Sequence, residues 1–352
     1  MTINLTQLQA AVDFTVAHET PWSRDIDDNW GIHLQDPAPW NRLLGPVHPR
    51  GPVSGVVRVG GKPIIEWGEP NRADLTFSIA KTYLALLAGV ALDSGLLPNL
   101  DEPVRIKVPG IGFEEAHNQS ITWLQLLQQT SEWEGDCFGI PDTVDRYRHL
   151  QYQPAREGGK KGDARPLQTP GSFWEYNDIR VNRLSLALLR RFGRSLRDVF
   201  AERIMAPIGA SNDWRWVGYR NSIVSVVGKD IESVSGGGHW GGGVFIHAED
   251  QVLVGQLMLA DGIWNGRRLL PKGWVAAMLE PCPVKPDYGL LWWLNPDGCF
   301  QATASPESYF ALGAGGNITW IDPAHDIVAV LRWIDMAALP EWIGMATQAI
   351  RR

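Results

Sequence analysis

Apolar residues at positions 79, 83, 84, 86, 87, 90 and 91 recur with the period of a helix that buries one broad face, and Gly95 supplies its stop. Any fold for this chain has to bury that helix. Near its start stand Ser78 and, three residues on, Lys81. Residues three apart are neighbours on a helical face, so hydroxyl and amine can meet. A serine is a weak nucleophile until its proton is taken, and a desolvated lysine can take it. The helix N-terminus adds unpaired N–H groups suited to a developing oxyanion. Ser-x-x-Lys alone is weak evidence, because two ordinary helix-surface residues give the same string. Its weight depends on the rest of the chain.

With 352 residues, 44% hydrophobic and 20% charged, the chain can bury a large core as two lobes or one elaborated domain, and extended disorder is excluded. The net charge is −7 and the basic residues are scattered, so no nucleic-acid partner is expected. Three cysteines, Cys137, Cys282 and Cys299, make an odd count without C-x-x-C spacing, as in a reducing compartment. The first ten residues read as an amphipathic helix rather than a signal peptide, and no apolar run reaches the roughly 18 residues of a membrane span. The expected location is the cytoplasm, with no membrane partner. Oligomeric state is not written in the sequence. The histidines are dispersed with no His-Glu-x-x-His cluster, and the glycines around His239 lack the strand-before, lysine-after order of a phosphate loop. No metal and no cofactor is expected. Most of the 17 tryptophans read as core, with several left to line an apolar acyl pocket.

Along the chain, residues 5–18 read as a helix and 21–52 as a long surface connection. Val53–Val59 and Lys62–Trp67 form a hairpin about Gly60-Gly61. Residues 100–215 read as mostly helical. Within them lie a short helix at 121–127 capped by Ser120 or Thr122, a flexible excursion at 158–170, and helices at 177–192 and 196–204. Gly236–Gly243 is a glycine cluster suited to close backbone packing. Helices at 249–260 and 271–279 precede strands at 288–294, 309–312, 317–321 and 327–334, and a last helix at 340–350. The expected class is α/β (α+β), an antiparallel sheet flanked by helices. Residues 1–98 and 230–352 would form one discontinuous domain and 99–229 a mainly helical insertion, with the active site between them.

This order of features resembles the serine β-lactamase and penicillin-binding-protein superfamily, in particular its class C-like esterase and amide-hydrolase branch. Phe77-Ser78-Ile79-Ala80-Lys81 is similar to the family's nucleophile motif, and Ile121 to Ser131 to its following helical segment, with Glu132 where glycine is usual. Gly262 to Gly266 and Leu270 to Val275 resemble a further recurring stretch. The likeness runs from about residue 50 to 335. It implies a β-lactamase/transpeptidase-like fold and Ser78, Lys81 and Tyr176 as catalytic residues. Tyr176 opens Tyr176-Asn177-Asp178, where the family has Tyr-x-Asn. Asp178 in the third place would favour protonated Lys81, which moves the proton-exchanging role toward Tyr176. A competing reading makes Asn177 and Asp178 simple helix caps. The third motif falls on Ala311-Leu312-Gly313, with Ala311 in place of the family's lysine or histidine. The resemblance places the oxyanion hole at the backbone N–H groups of Ser78 and Ala314, supported by Gly313 and Asp178.

The expected function is therefore a serine hydrolase that cleaves a small-molecule ester or amide through a Ser78 acyl-enzyme. Alternatives are a β-lactamase or D-alanyl carboxypeptidase, which the loss of a cation at Ala311 disfavours, and an inactive binding member of the same fold. Gly-x-Ser-x-Gly is absent, which removes an α/β-hydrolase elbow. His239 and Cys137 read as structural more readily than functional. Glu132 and Glu134 read as a solvated turn, or else as a site for a cationic substrate group.

Overall fold

The computed structural model describes residues 2–28, 30–150, 153 and 158–351. Its longer elements run, in chain order, α1 (Leu5–Ala17), β1 (Ser54–Val59), β2 (Lys62–Trp67), β3 (Asp74–Leu75), α2 (Ala80–Asp93), α3 (Asp178–Phe192), β4 (Arg215–Val226), β5 (Lys229–Val234), β6 (Gly243–Ile246), α4 (Ala248–Leu259), β7 (Trp293–Leu294), β8 (Tyr309–Gly313), β9 (Asn317–Asp322), β10 (Ile327–Arg332) and α5 (Leu339–Ala349). Six strands make one antiparallel sheet in the order β7-β8-β9-β10-β1-β2. The N-terminal hairpin is thus stitched to the C-terminal strands through the β10–β1 pairing, with Val330 opposite Val56.

Strand alternation explains how both faces of that sheet are covered. Ile327, Ala329 and Leu331 of β10 point to one side, where they join Leu8 and Val12 of α1 and Trp342 and Ile343 of α5. Val328 and Val330 point to the other side, toward Leu84 and Leu87 of α2 and Val252 and Leu257 of α4. The turn between β1 and β2 has Gly60 and Gly61 at φ of 57° and 75°, the left-handed pair that a two-residue hairpin needs. None of the described helices is long and apolar enough to cross a membrane.

A second sheet, β3-β6-β4-β5, escapes sequence reading. The β4–β5 hairpin turns at Val227-Gly228, both with positive φ. Its apolar residues come partly in adjacent pairs, Trp216-Val217 and Ile223-Val224, rather than in strict alternation, so the period-two signal is weak. Three expectations need correction. Residues 100–215 are not mostly helical, because the described part of 128–177 is loop apart from a two-strand pairing at 136–141 and one turn at Asp142–Asp145. The expected strand 288–294 shortens to Trp293–Leu294. The 21–52 connection is not a surface loop, since Trp30, Ile32, Asp36 and Arg50 are all buried.

Candidate active site

Ser78 lies in a single 3-10 turn, Phe77–Ile79, that leads directly into α2. Phe77 holds a φ of 51°, a left-handed conformation that is strained for a bulky residue. Its ring is clamped by Trp22, Trp30 and Trp333, which stand in edge-on or tilted contact. That aromatic box fixes the turn and so fixes where the serine hydroxyl points.

One helical turn on, the Lys81 amine donates to the Ser78 hydroxyl at 2.8 Å. The Tyr176 phenol lines the same cavity as the Ser78 hydroxyl. Tyr176 reaches this position because α3 begins just after it, with Asn177 as N-cap accepting from the N–H groups of Ile179 and Arg180. Asn177 is therefore the cap, and Asp178, in the first turn, is free to do something else. Its Oδ1 stands 2.6 Å from Lys81 Nζ and its Oδ2 2.7 Å from an Arg148 amine. Backbone crowding completes the pocket. A Cβ on Gly313 would lie 2.0 Å from the Thr76 carbonyl, so only glycine lets the end of β8 come this close to the Ser78 turn. Ala314 follows, and it lines a cavity of about 130 Å³ together with Ser78 and Tyr176. A Cβ on Gly237 would lie 2.5 Å from Lys81 Nζ, so the glycine cluster is the backbone that closes over the lysine. Ala311 is buried in β8 opposite Thr319 and presents no charge.

Behind these residues lies a chain of buried charges. Asp145 accepts from Arg148 at 3.1 Å and from the Asp178 N–H at 2.7 Å. His239 bridges Asp178 Oδ2, 3.2 Å from Nδ1, and Asp36 Oδ2, 2.9 Å from Nε2. Lys161 pairs with Asp36 and lies 3.4 Å from Asp145. Burial pushes the Lys81 amine below its ordinary range, against the opposing pull of the Asp178 carboxylate. Arg148 and Lys81 hold Asp178 well below the usual carboxylate range despite its burial. Burial raises Asp145 to about 6 and lowers Lys161 to about 8. It also drives the Tyr176 phenol above its ordinary value and keeps His239 neutral. A neutral imidazole has one N–H for its two carboxylate contacts, so one of them needs a further proton. Asp145, Asp178 and His239 lie close enough together to share a metal ion, but Lys81 and Arg148 already occupy the carboxylates from the other side.

All six residues singled out from the sequence, Ser78, Lys81, Tyr176, Asp178, Gly313 and Ala314, meet at this place. His239 is buried as expected, yet it touches Asp178 directly. Cys137 is a buried thiol whose ionisation burial suppresses. Glu132 is neither a solvated turn nor a free anion. It is fully buried, takes two amines of Arg165 at 2.6 Å each, and pairs with Arg180 at 2.8 Å. Arg165 belongs to the expected flexible excursion, which this pairing ties down. Arg148, Asp145 and Asp36 went unnoticed in the sequence, and Lys161, half of a basic pair that reads there as a solvated face, instead pairs with buried Asp36. Asp36 lies 203 residues from the histidine it contacts, and no local pattern links such positions.

The sequence profile of the beta-lactamase family matches residues 53–333. The chain belongs to the beta-lactamase family. Among curated proteins it is similar to the 6-aminohexanoate-dimer hydrolase of Paenarthrobacter ureafaciens, 22% identical over 285 residues that cover 76% of this chain and 68% of that one. Among solved structures it is similar to a family VIII carboxylesterase, with a TM-score of 0.61 at 15% identity and 99% of each chain covered. It is also similar to simvastatin synthase from Aspergillus terreus, with a TM-score of 0.58 at 17% identity, covering 84% of this chain and 92% of that one. These likenesses establish a β-lactamase-like fold in a hydrolase family whose structural neighbours include esterases and amide hydrolases.

Proposed function

We propose that this protein is a serine hydrolase that cleaves a small ester or amide through an acyl-enzyme on Ser78. The observation that carries this reading is the Lys81 amine at 2.8 Å from Ser78 Oγ, at the wall of a cavity that Tyr176 and Ala314 also line. Burial lowers Lys81, so its free-base form is accessible, and it takes the proton as Ser78 Oγ attacks the carbonyl carbon. Negative charge then develops on the carbonyl oxygen, between the backbone N–H groups of Ser78 and Ala314. Tyr176, kept protonated by its raised pKa, supplies a proton to the departing alkoxide or amine and is reprotonated by the one that Lys81 took from Ser78. This divides the work differently from the sequence expectation, in which the Asp178 charge weakened lysine as a base. Here desolvation of Lys81 outweighs that charge. Water then attacks the ester carbonyl of the acyl-enzyme, and the carboxylic acid leaves as the Ser78 oxygen is reprotonated.

The residues come from both proposed parts of the chain, Ser78 and Ala314 from 1–98 and 230–352, and Tyr176, Asp178 and Arg148 from 99–229. The cleft between them is the proposed entry for a small-molecule substrate. Ala311 leaves no cation at the third-motif position, which supports an esterase or amidase over a penicillin-recognising enzyme. The test is intact-mass detection of an acylated species with p-nitrophenyl butyrate. An adduct and turnover in the wild type, both lost in Ser78→Ala, support the reading. Full turnover by Ser78→Ala ends it, and a wild type that a fluorophosphonate probe fails to label points instead to an inactive binding protein.

A further inference from the structure

Arg148 is a buried cation with half of its guanidinium committed. Its side chain is 6% exposed, and a single amine, Nη1, serves both Asp145 at 3.1 Å and Asp178 at 2.7 Å. Among the described residues, Nε and Nη2 have no hydrogen-bond partner. Those two donors form the side-on edge that accepts a carboxylate with two parallel bonds. Buried donors left dry would cost stability, so this edge faces either water or a ligand. It has space to do so. Arg148 and Leu150 form a shared wall between the Ser78 cavity and a second one of about 280 Å³.

The lining of both cavities is one-sided in charge. The Ser78 cavity includes Arg148 and His149, and the second includes Arg148 and Lys285 against the apolar faces of Phe173, Trp174 and Val284. Among the described residues that line either cavity there is no aspartate or glutamate. Asp287 pairs with Lys285 at 2.5 Å from outside the lining, whereas Arg148 meets both of its carboxylates through Nη1 and keeps Nε and Nη2 unengaged among the described residues. The guanidinium carbon stands 5.2 Å from the centre of the Tyr176 ring, which lines the cavity together with Ser78. A group held by Arg148 is thus a few bonds away from a carbonyl poised at Ser78.

We propose that Arg148 is a specificity residue that binds a carboxylate on the substrate, and that the preferred substrates are esters or amides carrying a free carboxylate a few carbons from the scissile bond. This rests on the serine-hydrolase reading above. The carboxylate forms two hydrogen bonds to Nε and Nη2 and exchanges no proton or bond in the reaction. Lys285 adds attraction at the outer cavity, where longer acids end.

The experiment compares matched ester pairs that differ only in that charge. The acyl arm uses the mono-p-nitrophenyl esters of succinate, glutarate and adipate against p-nitrophenyl butyrate and pentanoate. The leaving-group arm uses 4-carboxyphenyl butyrate against 4-methylphenyl butyrate. In one arm the wild type should favour the anionic member by at least about tenfold in kcat/KM, the worth of one charge-assisted hydrogen bond. The preference should largely survive at high salt, because a pair buried at Arg148 is screened little. Arg148→Met should bring the ratio to within about threefold of unity. A ratio is read because any general effect of the variant on catalysis cancels out of it. If Arg148→Met does not fold, competitive inhibition of the wild type by free glutarate against the neutral esters, not reproduced by the uncharged glutaramide, carries the test. Neutral esters preferred in both arms, or an anionic preference that survives in Arg148→Met, would overturn the proposal. Ser78→Ala run beside them separates this from the parent reading. Turnover lost with no charge preference sinks the Arg148 assignment alone, and turnover retained sinks both.

Discussion

The amine of Lys81 and the carboxylate of Asp178 meet at 2.6 Å with both side chains almost wholly buried. The amine and the carboxylate are therefore one electrostatic unit. Burial lowers the lysine and the carboxylate raises it, and burial is the larger effect.

Replacing the carboxylate shifts that balance. In Asp178→Asn the opposing charge disappears and Lys81 loses its proton more readily. The proposed mechanism requires the free amine, so the acid limb of the kcat/KM profile should move to lower pH by at least about one unit. The same change leaves Lys81 and Arg148 less well compensated, and it should cost about 3–5 kcal/mol of stability by urea titration. A limb that moves to higher pH would contradict this account of Lys81.

Tyr176 and the leaving group depend on each other. p-Nitrophenolate departs without a proton, whereas an alkoxide or amine needs one. Tyr176→Phe should therefore lose about 10²–10⁴-fold in kcat on alkyl esters or amides and distinctly less on p-nitrophenyl esters. Equal losses on both would remove Tyr176 from proton delivery.

Asp145 contributes to stability in the opposite sense from Asp178. Its folded carboxyl is raised to about 6 by burial. The neutral form is favoured in the fold, so that contribution is fully present below the ordinary carboxyl range and is lost as pH rises through about 6. Asp145→Asn keeps an acceptor for Arg148 and for the Asp178 N–H while removing the titration. Its melting temperature relative to wild type should improve between pH 4 and pH 7.

Gly313 tests the backbone. An added Cβ would meet the Thr76 carbonyl at 2.0 Å, and backbone on both sides cannot yield cheaply. Gly313→Ala should cost about 1–3 kcal/mol in stability and a larger share of activity, because the displaced segment carries Ala314. Circular dichroism melts and p-nitrophenyl butyrate turnover measure the two effects separately.

By itself the sequence determined what local chemistry writes down. The helix after Ser78, the Gly60-Gly61 hairpin, the Asn177 cap and the alternating strands 309–332 depend on neighbours a few residues away, and all were legible. Short motifs in order also picked out Ser78, Lys81 and Tyr176, which the fold brings to one cavity and one hydrogen bond. Tertiary structure alone decided the rest. Asp36, His239, Asp178 and Lys161 come from four distant segments, and ion pairs formed by chain crossing leave no period in a sequence. The same holds for Glu132, whose burial became tolerable once Arg165 and Arg180 arrived. Whether a charged side chain lies in water or beside a counter-ion is settled by what folds against it.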